Sequence, residues 1–521
     1  MKAGRVIGGD EHDARVLAHQ IVADARAEAE QLREAARADA ARLRRDADEL
    51  TQRLVQDART EAGRTIARAE AEAARLRDTA QVAAHHMALG ERDGSAITAA
   101  PGHLATGSVD EVIGLVMRAT VPGVALGEIV RIDRRDREPL AAEVVGFRGE
   151  QAVLLPLGDM AGVSPASGAW RTGAPLTIRC GEELLGRVLD GIGAPLDDGP
   201  PLGGEIWAVD RSAPAALSRP LISAPQPTGV RVLDTMLTLG RGQRVGLFAA
   251  AGVGKSTLLG QIARGASADV IVLCLVGERG RELVELLHEE LAPARQRTVV
   301  VCATSDAPPL VRLRAIHTAT AIAEWFRDRL SASVLLLCDS LTRVARAQRE
   351  VGLSAGEPPA RHGYPPSVFA LLPRLVERAG ATPTGVITAI YTVLVAGDDL
   401  DEPIADEVRG LVDGHIVLDR RLAQRGHFPA IDVVASASRL MKRVVDAGHA
   451  EAAARVRARL AIYEEHRDLI TLGAYQAGRD RAVDDAVLAY PAIERLVRQR
   501  CDDVADWDAS IAGLLTLAGP G

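Results

Sequence analysis

Residues 243–266 read QRVGLFAAAGVGKSTLLGQIARGA. An apolar run (QRVGLFAA) leads into a glycine-bearing loop (AAGVGKST), and a helical pattern (LLGQIARGA) follows at once. That strand–loop–helix order is the setting a phosphate-binding loop requires. Gly252 and Gly254 allow backbone N–H groups to turn inward around phosphate oxygens, at the mouth of a helix whose dipole favours anions. Ala250, Ala251, Gly252, Val253, Gly254, Lys255, Ser256 and Thr257 are therefore the expected nucleotide-binding residues. Lys255 is expected to reach the β- and γ-phosphates of ATP, and the Ser256 hydroxyl to coordinate Mg2+. The position that opens the strict motif is Ala249 where glycine is usual.

Composition supports this reading of Lys255 independently. The chain holds only three lysines (Lys2, Lys255, Lys442) amid 62 basic residues in all. Arginine is written almost wherever a cation is needed, so a lysine in this loop marks chemistry that prefers a compact ammonium. About 85 residues on, VLLLCDS places Asp339 at the end of an apolar strand, where open α/β sheets present ligand groups. A carboxylate there can hold Mg2+ through water, although strand-ending aspartates also simply cap helices. Between the two, CLVGERGRE sets Glu278 at another strand end, where a carboxylate can orient and polarise an attacking water. A solvated turn is the competing reading of that segment.

The rest of the chain fits a large multi-domain protein. It has 521 residues, 47% hydrophobic and 25% charged, and aromatics make up only 3%, so its cores must be built from Ala, Val and Leu. A formal net charge of −8 argues against a nucleic-acid binder, which needs a basic face. Cys180, Cys274, Cys302, Cys338 and Cys501 are scattered without a CxxC pair, which suits small buried hydrophobes in a reducing compartment. The amino terminus lacks the apolar core of a signal peptide, and no apolar run is long enough for a membrane span, so a cytoplasmic location is expected. His362, His415 and His427 lack metal-ligand spacing, and Trp325 sits on an apolar helical face and reads as core.

Five segments follow from patterning. Residues 1–88 are rich in Ala, Arg and Glu, with Ile21, Leu32, Leu43, Leu54 and Leu76 spaced by eleven or its double. Two further series from Ala14 and Ala18 interleave with them, and eleven residues in three turns predict a straight or slightly right-handed hendecad coiled coil. Residues 89–108 form a Gly/Ala/Ser/Thr-rich linker. Residues 109–202 carry short apolar runs between turns and predict a β-barrel. Residues 203–440 alternate apolar strands with helices and predict a parallel α/β sheet. Residues 441–521 predict a helical C-terminal domain.

Longer strings carry a resemblance. GRVLDGIGAPLD, TGVRVLDTMLTLGRGQRVGLFAAAGVGKSTLLG, VGERGRE, LLLCDSLTRVARAQREVGLSAGEPPARHGYPPSVFALLPRL and YTVLVAGDDLDEPIADEVRGLVDGHIVLDRRLAQRGHFPAIDVVASASRLM occur in this order. Together they resemble the ATPases of type III secretion systems, relatives of the catalytic β subunit of rotary ATP synthases, over about 109–491. GEPPARHGYPPSVFALLPRL and EPIADEVRG are more similar to the injectisome branch than to the flagellar one. The resemblance implies a RecA-like ATPase core with an N-terminal barrel. It also implies a homohexameric ring in the cytoplasm, peripheral to the inner membrane, that couples Mg·ATP hydrolysis to protein export.

Matching positions then acquire roles. Glu278 would be the catalytic glutamate, with Arg279 and Glu282 supporting it, and Asp339 the metal-side aspartate. Arg343 would lie near the phosphates, and Arg439 would be the arginine finger given to the neighbouring subunit's ATP. Phe428 would stack on adenine, where tyrosine is usual. Expected partners are a central coiled-coil stalk protein facing the Gly397–Asp399 loop, the export gate and chaperone–substrate complexes. Residues 1–88 depart from the family and resemble the start of its peripheral stator protein, leaving room for a separate stator as a further partner.

Other classes remain open on the residues alone. A non-catalytic ring subunit would usually lack Glu278. An RNA-tracking ring helicase would need aromatics and a basic stripe on the barrel, whereas this barrel offers Phe147, Trp170 and an RIDRRDRE run interleaved with acids. Flagellar export and rotary ATP synthesis are the nearer alternatives.

Overall fold

The computed structural model describes residues 106–395 and 399–519, together with Val16, Gln20, Ala23, Glu30, Glu34, Gln52 and Gln56. These last positions belong to an N-terminal unit, Met1–Ala100, and each is helical and exposed. The hendecad series, linker residues 89–105, and Gly397 and Asp398 lie outside the described residues.

Short strands with alternating burial close into a barrel: β1 (Thr106–Ile113), β2 (Val116–Thr120), β3 (Glu128–Arg134), β4 (Arg137–Arg148), β5 (Gln151–Pro156) and β6 (Gly168–Pro175). Their order is β1-β2-β5-β4-β3-β6, and closure leaves no free edge. In β3, Val130 and Ile132 point inward while Arg131 between them is exposed, the period-two pattern of a half-buried strand. Met117, Val144 and Leu154 complete the interior. Two arginines of the β3–β4 hairpin are engaged by local acceptors. Arg134 donates to the carbonyls of Glu138 and Asp159, and Arg137 pairs with Asp159 at 3.0 Å.

Beyond the barrel, β7 (Thr177–Cys180) and β9 (Glu205–Ala208) form a small antiparallel ribbon. Between them β8 (Val188–Asp190) joins the large sheet, so the 109–202 segment expected as barrel also supplies an edge strand to the next layer. The remaining strands of that sheet are β10 (Arg244–Ala249), β11 (Val270–Glu278), β12 (Thr298–Thr304), β13 (Ser333–Asp339), β14 (Gly380–Ala381), β15 (Val386–Leu394), β16 (Gly414–Leu418) and β17 (Ile431–Ser438). Their order is β17-β16-β10-β15-β13-β11-β12-β8, with β14 beside β15. The interior pairs are parallel, as the near-continuous apolar runs predict for strands covered on both faces. The β16–β17 pair is antiparallel, and the connection between them holds the short helix Arg420–Gln424 and then the turn that carries Phe428.

Helices cover both faces. The longest of the nucleotide-domain helices, Pro309–Leu330, buries most of its length, including Trp325, whose indole N–H donates to Glu205. Cys180, Cys274, Cys302 and Cys338 are buried thiols, and Cys501 is exposed. After the sheet come helices Ala447–Thr471, Arg481–Val497 and Trp507–Ala518. Asp446, Asp480 and Asp506 each accept a backbone N–H from the first turn, the usual device for starting a helix.

One buried ion pair fastens barrel to sheet domain. Arg314, in the helix Pro309–Leu330, donates to both carboxylate oxygens of Glu143 on β4 and to Asp210 at 2.8 and 2.9 Å. Burial pushes the Glu143 carboxyl up, and the Arg314 guanidinium opposes that rise. Arg314→Met is expected to strand a buried carboxylate and cost about 3–5 kcal/mol of stability. Adding Glu143→Met should recover most of that loss in thermal unfolding; a single variant as stable as the parent would show that the pair does not fasten the barrel.

Candidate active site

The carboxyl ends of the parallel strands converge on one place. β10 ends in the loop at Ala249, β11 in Glu278 and β13 in Asp339. Ala249 lies within β10, paired with Leu394 and Leu418, and is not among the positive-φ residues. The missing first glycine therefore asks nothing unusual of alanine. Gly252 and Gly254 do take left-handed backbone, at φ 78° and 90°. Gly254 caps the helix Lys255–Gly265 without any side-chain cap, so the first N–H groups of that helix are presented at the loop. Ala250 and Val253 are buried and contribute backbone, whereas Ala251, Gly252 and Ser256 are exposed.

Four charged groups meet beside the loop. The Lys255 ammonium ion-pairs with Asp339 and stands 3.9 Å from Glu278. Asp339 also accepts a 2.8 Å hydrogen bond from the Thr392 hydroxyl on β15, two strands from Glu278. The Arg343 guanidinium lies 3.1 Å from Glu278 and donates to the Gly277 carbonyl. Arg343 comes from the helix Leu341–Ala355, which the Ser340 hydroxyl caps through the Arg343 N–H. Gly277 has φ 69°, a left-handed backbone that favours glycine, and a Cβ there would stand 3.0 Å from the Arg343 side chain as it crosses.

Glu278 is buried, and its carboxyl is pushed up to about 7. Burial is the largest cause; a hydrogen bond with the Glu282 carboxyl and the charge of Asp339 add to it, and Lys255 and Arg343 oppose it. Near neutrality this carboxylate can therefore both hold and release a proton. Glu278, Asp339, Ser256 and Thr257 face a cavity of about 340 Å³. Its carboxylate and hydroxyl oxygens are the hard donors that suit Mg2+.

A second cavity of about 850 Å³ opens on the other side of Thr257. Phe428 lines it, and its ring lies 3.5 Å from where a Cβ on Gly254 would stand. Arg498 to Asp502 form the opposite wall, a contribution from the helical tail that the strand and loop motifs give no hint of. Gln261 fixes that wall by donating to the Arg500 and Asp503 carbonyls.

Two expected site residues stand apart. The Arg279 side chain is 78% exposed and lies near only Glu282, at 3.8 Å. The Arg439 N–H donates to the Asp413 carbonyl, and the Asp413 N–H donates to the Arg244 carbonyl at the start of β10. Arg439 thus sits at the opposite end of β10 from the loop, roughly 20 Å away at 3.3 Å per residue. It cannot serve the loop of its own chain. His362, His415 and His427 form no metal-binding cluster, and none occurs among the described residues.

Comparison with known proteins places this geometry. Residues 229–438 match the ATP synthase alpha/beta family nucleotide-binding domain, 109–173 its beta-barrel domain, and 445–516 the type III secretion EscN ATPase C-terminal domain. The chain is 47% identical over 417 residues to the flagellum-specific ATP synthase of Bacillus subtilis, covering 79% of this chain and 95% of that protein. It is 48% identical over 408 residues to the type 3 secretion system ATPase of Xanthomonas euvesicatoria, covering 78% and 92%. The assembled ATPase EscN of the enteropathogenic E. coli type III secretion system superposes with a TM-score of 0.75 at 43% identity, over 79% of this chain and all of that one. A glycine loop at a helix mouth, a titratable carboxylate beside it and a barrel, sheet and helical-tail order shared with these proteins over 79% of the chain leave one conclusion: the chain belongs to the type III secretion and flagellar export ATPases, ATP-hydrolysing enzymes coupled to protein export.

Proposed function

We propose that the chain hydrolyses Mg·ATP at the subunit interfaces of a homohexameric ring that drives type III protein secretion. The observation that carries this reading is the Lys255–Asp339–Glu278–Arg343 cluster at the end of the sheet. Residues 250–257 hold the phosphates, and Lys255 transfers its ammonium from Asp339 to the β- and γ-oxygens. Ser256 and Asp339 are the residues that would hold Mg2+, which would supply positive charge against the negative charge that develops on the phosphate oxygens as ADP leaves. Glu278 accepts a proton from the attacking water and orients it; Arg343 and Lys255 keep enough of Glu278 ionised to do so. Phe428 stacks on adenine. Arg279, held outward, has no part in this cluster within one chain.

Arg439 reaches the transferred phosphoryl group of the next subunit's ATP. Its position at the far end of β10 supports a role between subunits, where a finger can contribute orders of magnitude in rate. The E. coli relative is described in complex with its central stalk, and a stalk protein is the corresponding partner here, facing the 397–399 loop. Leu472 and Leu488 on the C-terminal helices are 79% and 83% exposed, which suits docking to an export gate and to chaperone–substrate complexes. Among the described residues no helix is long and apolar enough to cross a membrane, in keeping with peripheral attachment at the cytoplasmic face of the inner membrane. Residues 1–88 serve as a fused stator-like stalk, alone or beside a separate stator. A flagellar export role is the second reading, favoured by the 47% identity to the Bacillus protein against 48% to the Xanthomonas one; no specific nucleic acid is involved.

Glu278→Gln is expected to lower ATP turnover by on the order of 10²–10⁴-fold while ATP binding persists. Unchanged turnover would remove Glu278 from catalysis. The sign of the pH effect follows from a raised carboxylate: below about pH 7 Glu278 holds its proton and cannot accept another, and above it the base is available. The kcat/KM profile should therefore rise through a midpoint near 7. A midpoint at an ordinary carboxylate value would contradict the assignment.

A further inference from the structure

The wall of the larger cavity is tied to the turn that carries Phe428 through Gln499 and its neighbour Arg498. Gln499 is 7% exposed and follows the helix Arg481–Val497 by two residues. Its backbone N–H donates to the Phe428 carbonyl at 2.9 Å. Its side-chain oxygen accepts the Arg231 N–H at 2.7 Å, and its side-chain nitrogen donates to the Gly229 and Asp503 carbonyls at 2.9 and 3.0 Å. Three segments distant in sequence thus meet on one residue: its side-chain amide holds the entry to the nucleotide domain and the tail, and its backbone N–H holds the turn carrying Phe428. The entry segment is itself fixed, since a Cβ on Gly229 would stand only 2.7 Å from Gly265, at the end of the phosphate-binding helix. Beside it, Arg498 donates to the Gly426 carbonyl at 3.0 Å and holds the other end of the same turn.

We infer that Gln499 is a positioning residue for nucleotide affinity: it sets the Phe428 ring against the base by fixing the Phe428 backbone to the floor beneath the phosphate-binding helix. The inference rests on the reading of Phe428 as the adenine-stacking residue. The amide is needed because one group must accept from Arg231 and donate to Gly229 at once. Glutamate keeps the acceptor and loses the donors; leucine keeps neither. Because Gln499 closely follows a helix of the C-terminal domain, a shift of that helix would move the ring and change ATP affinity, leaving the charged cluster at Glu278 in place.

The test is steady-state ATPase kinetics of the full chain carrying Gln499→Leu, Gln499→Glu, Phe428→Ala, or Phe428→Ala with Gln499→Leu. Phe428→Ala should raise KM for ATP roughly tenfold, the scale of one lost base–aromatic stack. Gln499→Leu should raise KM several-fold with kcat within about twofold, and the double variant should have no higher KM than Phe428→Ala alone. The isosteric Gln499→Glu should fall between parent and Gln499→Leu, which keeps the test readable if the leucine variant does not fold. Wild-type KM in the Gln499 variants, or KM effects that multiply in the double variant, would overturn the inference while Phe428 keeps its role. If Phe428→Ala leaves KM unchanged, the adenine reading itself fails, and the inference with it.

Discussion

The ion pair between Lys255 and Asp339 is the contact on which the rest of this architecture depends. It joins the helix after β10 to the end of β13, and the Thr392 hydroxyl extends it to β15, the strand between them. A buried ammonium and carboxylate are costly to bring together unless each is fully satisfied. The strand order meets that demand by placing an aspartate and a hydroxyl from the neighbouring strands β13 and β15 beside the lysine that opens the helix after β10. The same contact holds the ammonium ready beside the loop, where a phosphate can take over the place of the carboxylate.

Next to it lies an electrostatic conflict. Glu278 is buried among other acids, which raises its carboxyl, while Lys255 and Arg343 pull it back toward ionisation. Burial is the largest cause of the rise, and the Arg343 guanidinium that opposes it passes close over Gly277. On the proposed reading, this titratable carboxylate within reach of the loop is the group that lets the chain hydrolyse the nucleotide.

Much of this is legible in the amino-acid sequence. Lys255, Glu278 and Asp339 announce themselves because each depends on a local pattern: a glycine loop, or an acid ending an apolar strand. The barrel and the parallel sheet follow from burial period, and the helical tail from its composition. The features that sequence patterns do not reveal depend on contacts between distant segments. Thr392 looks like any strand threonine, and its partner is 53 residues away. Gln499 reaches Gly229 across 270 residues, and no spacing rule connects them. β8 is three residues long and is a strand only by virtue of the edge of β12. The VGERGRE string groups Arg279 with the site, yet its side chain turns to solvent.

Arg439 lies at the far end of β10 from its own loop, so on the proposed reading each site is completed by the neighbouring chain. Mixing two inactive variants tests this most directly. Arg439→Ala subunits keep Glu278 and lack the finger; Glu278→Gln subunits keep the finger and lack the base. Each alone should show little ATP turnover, and co-assembled rings should regain a substantial fraction, since an intact loop then meets a neighbour's intact arginine. Mixed rings no more active than the two variants apart would contradict a site shared between subunits.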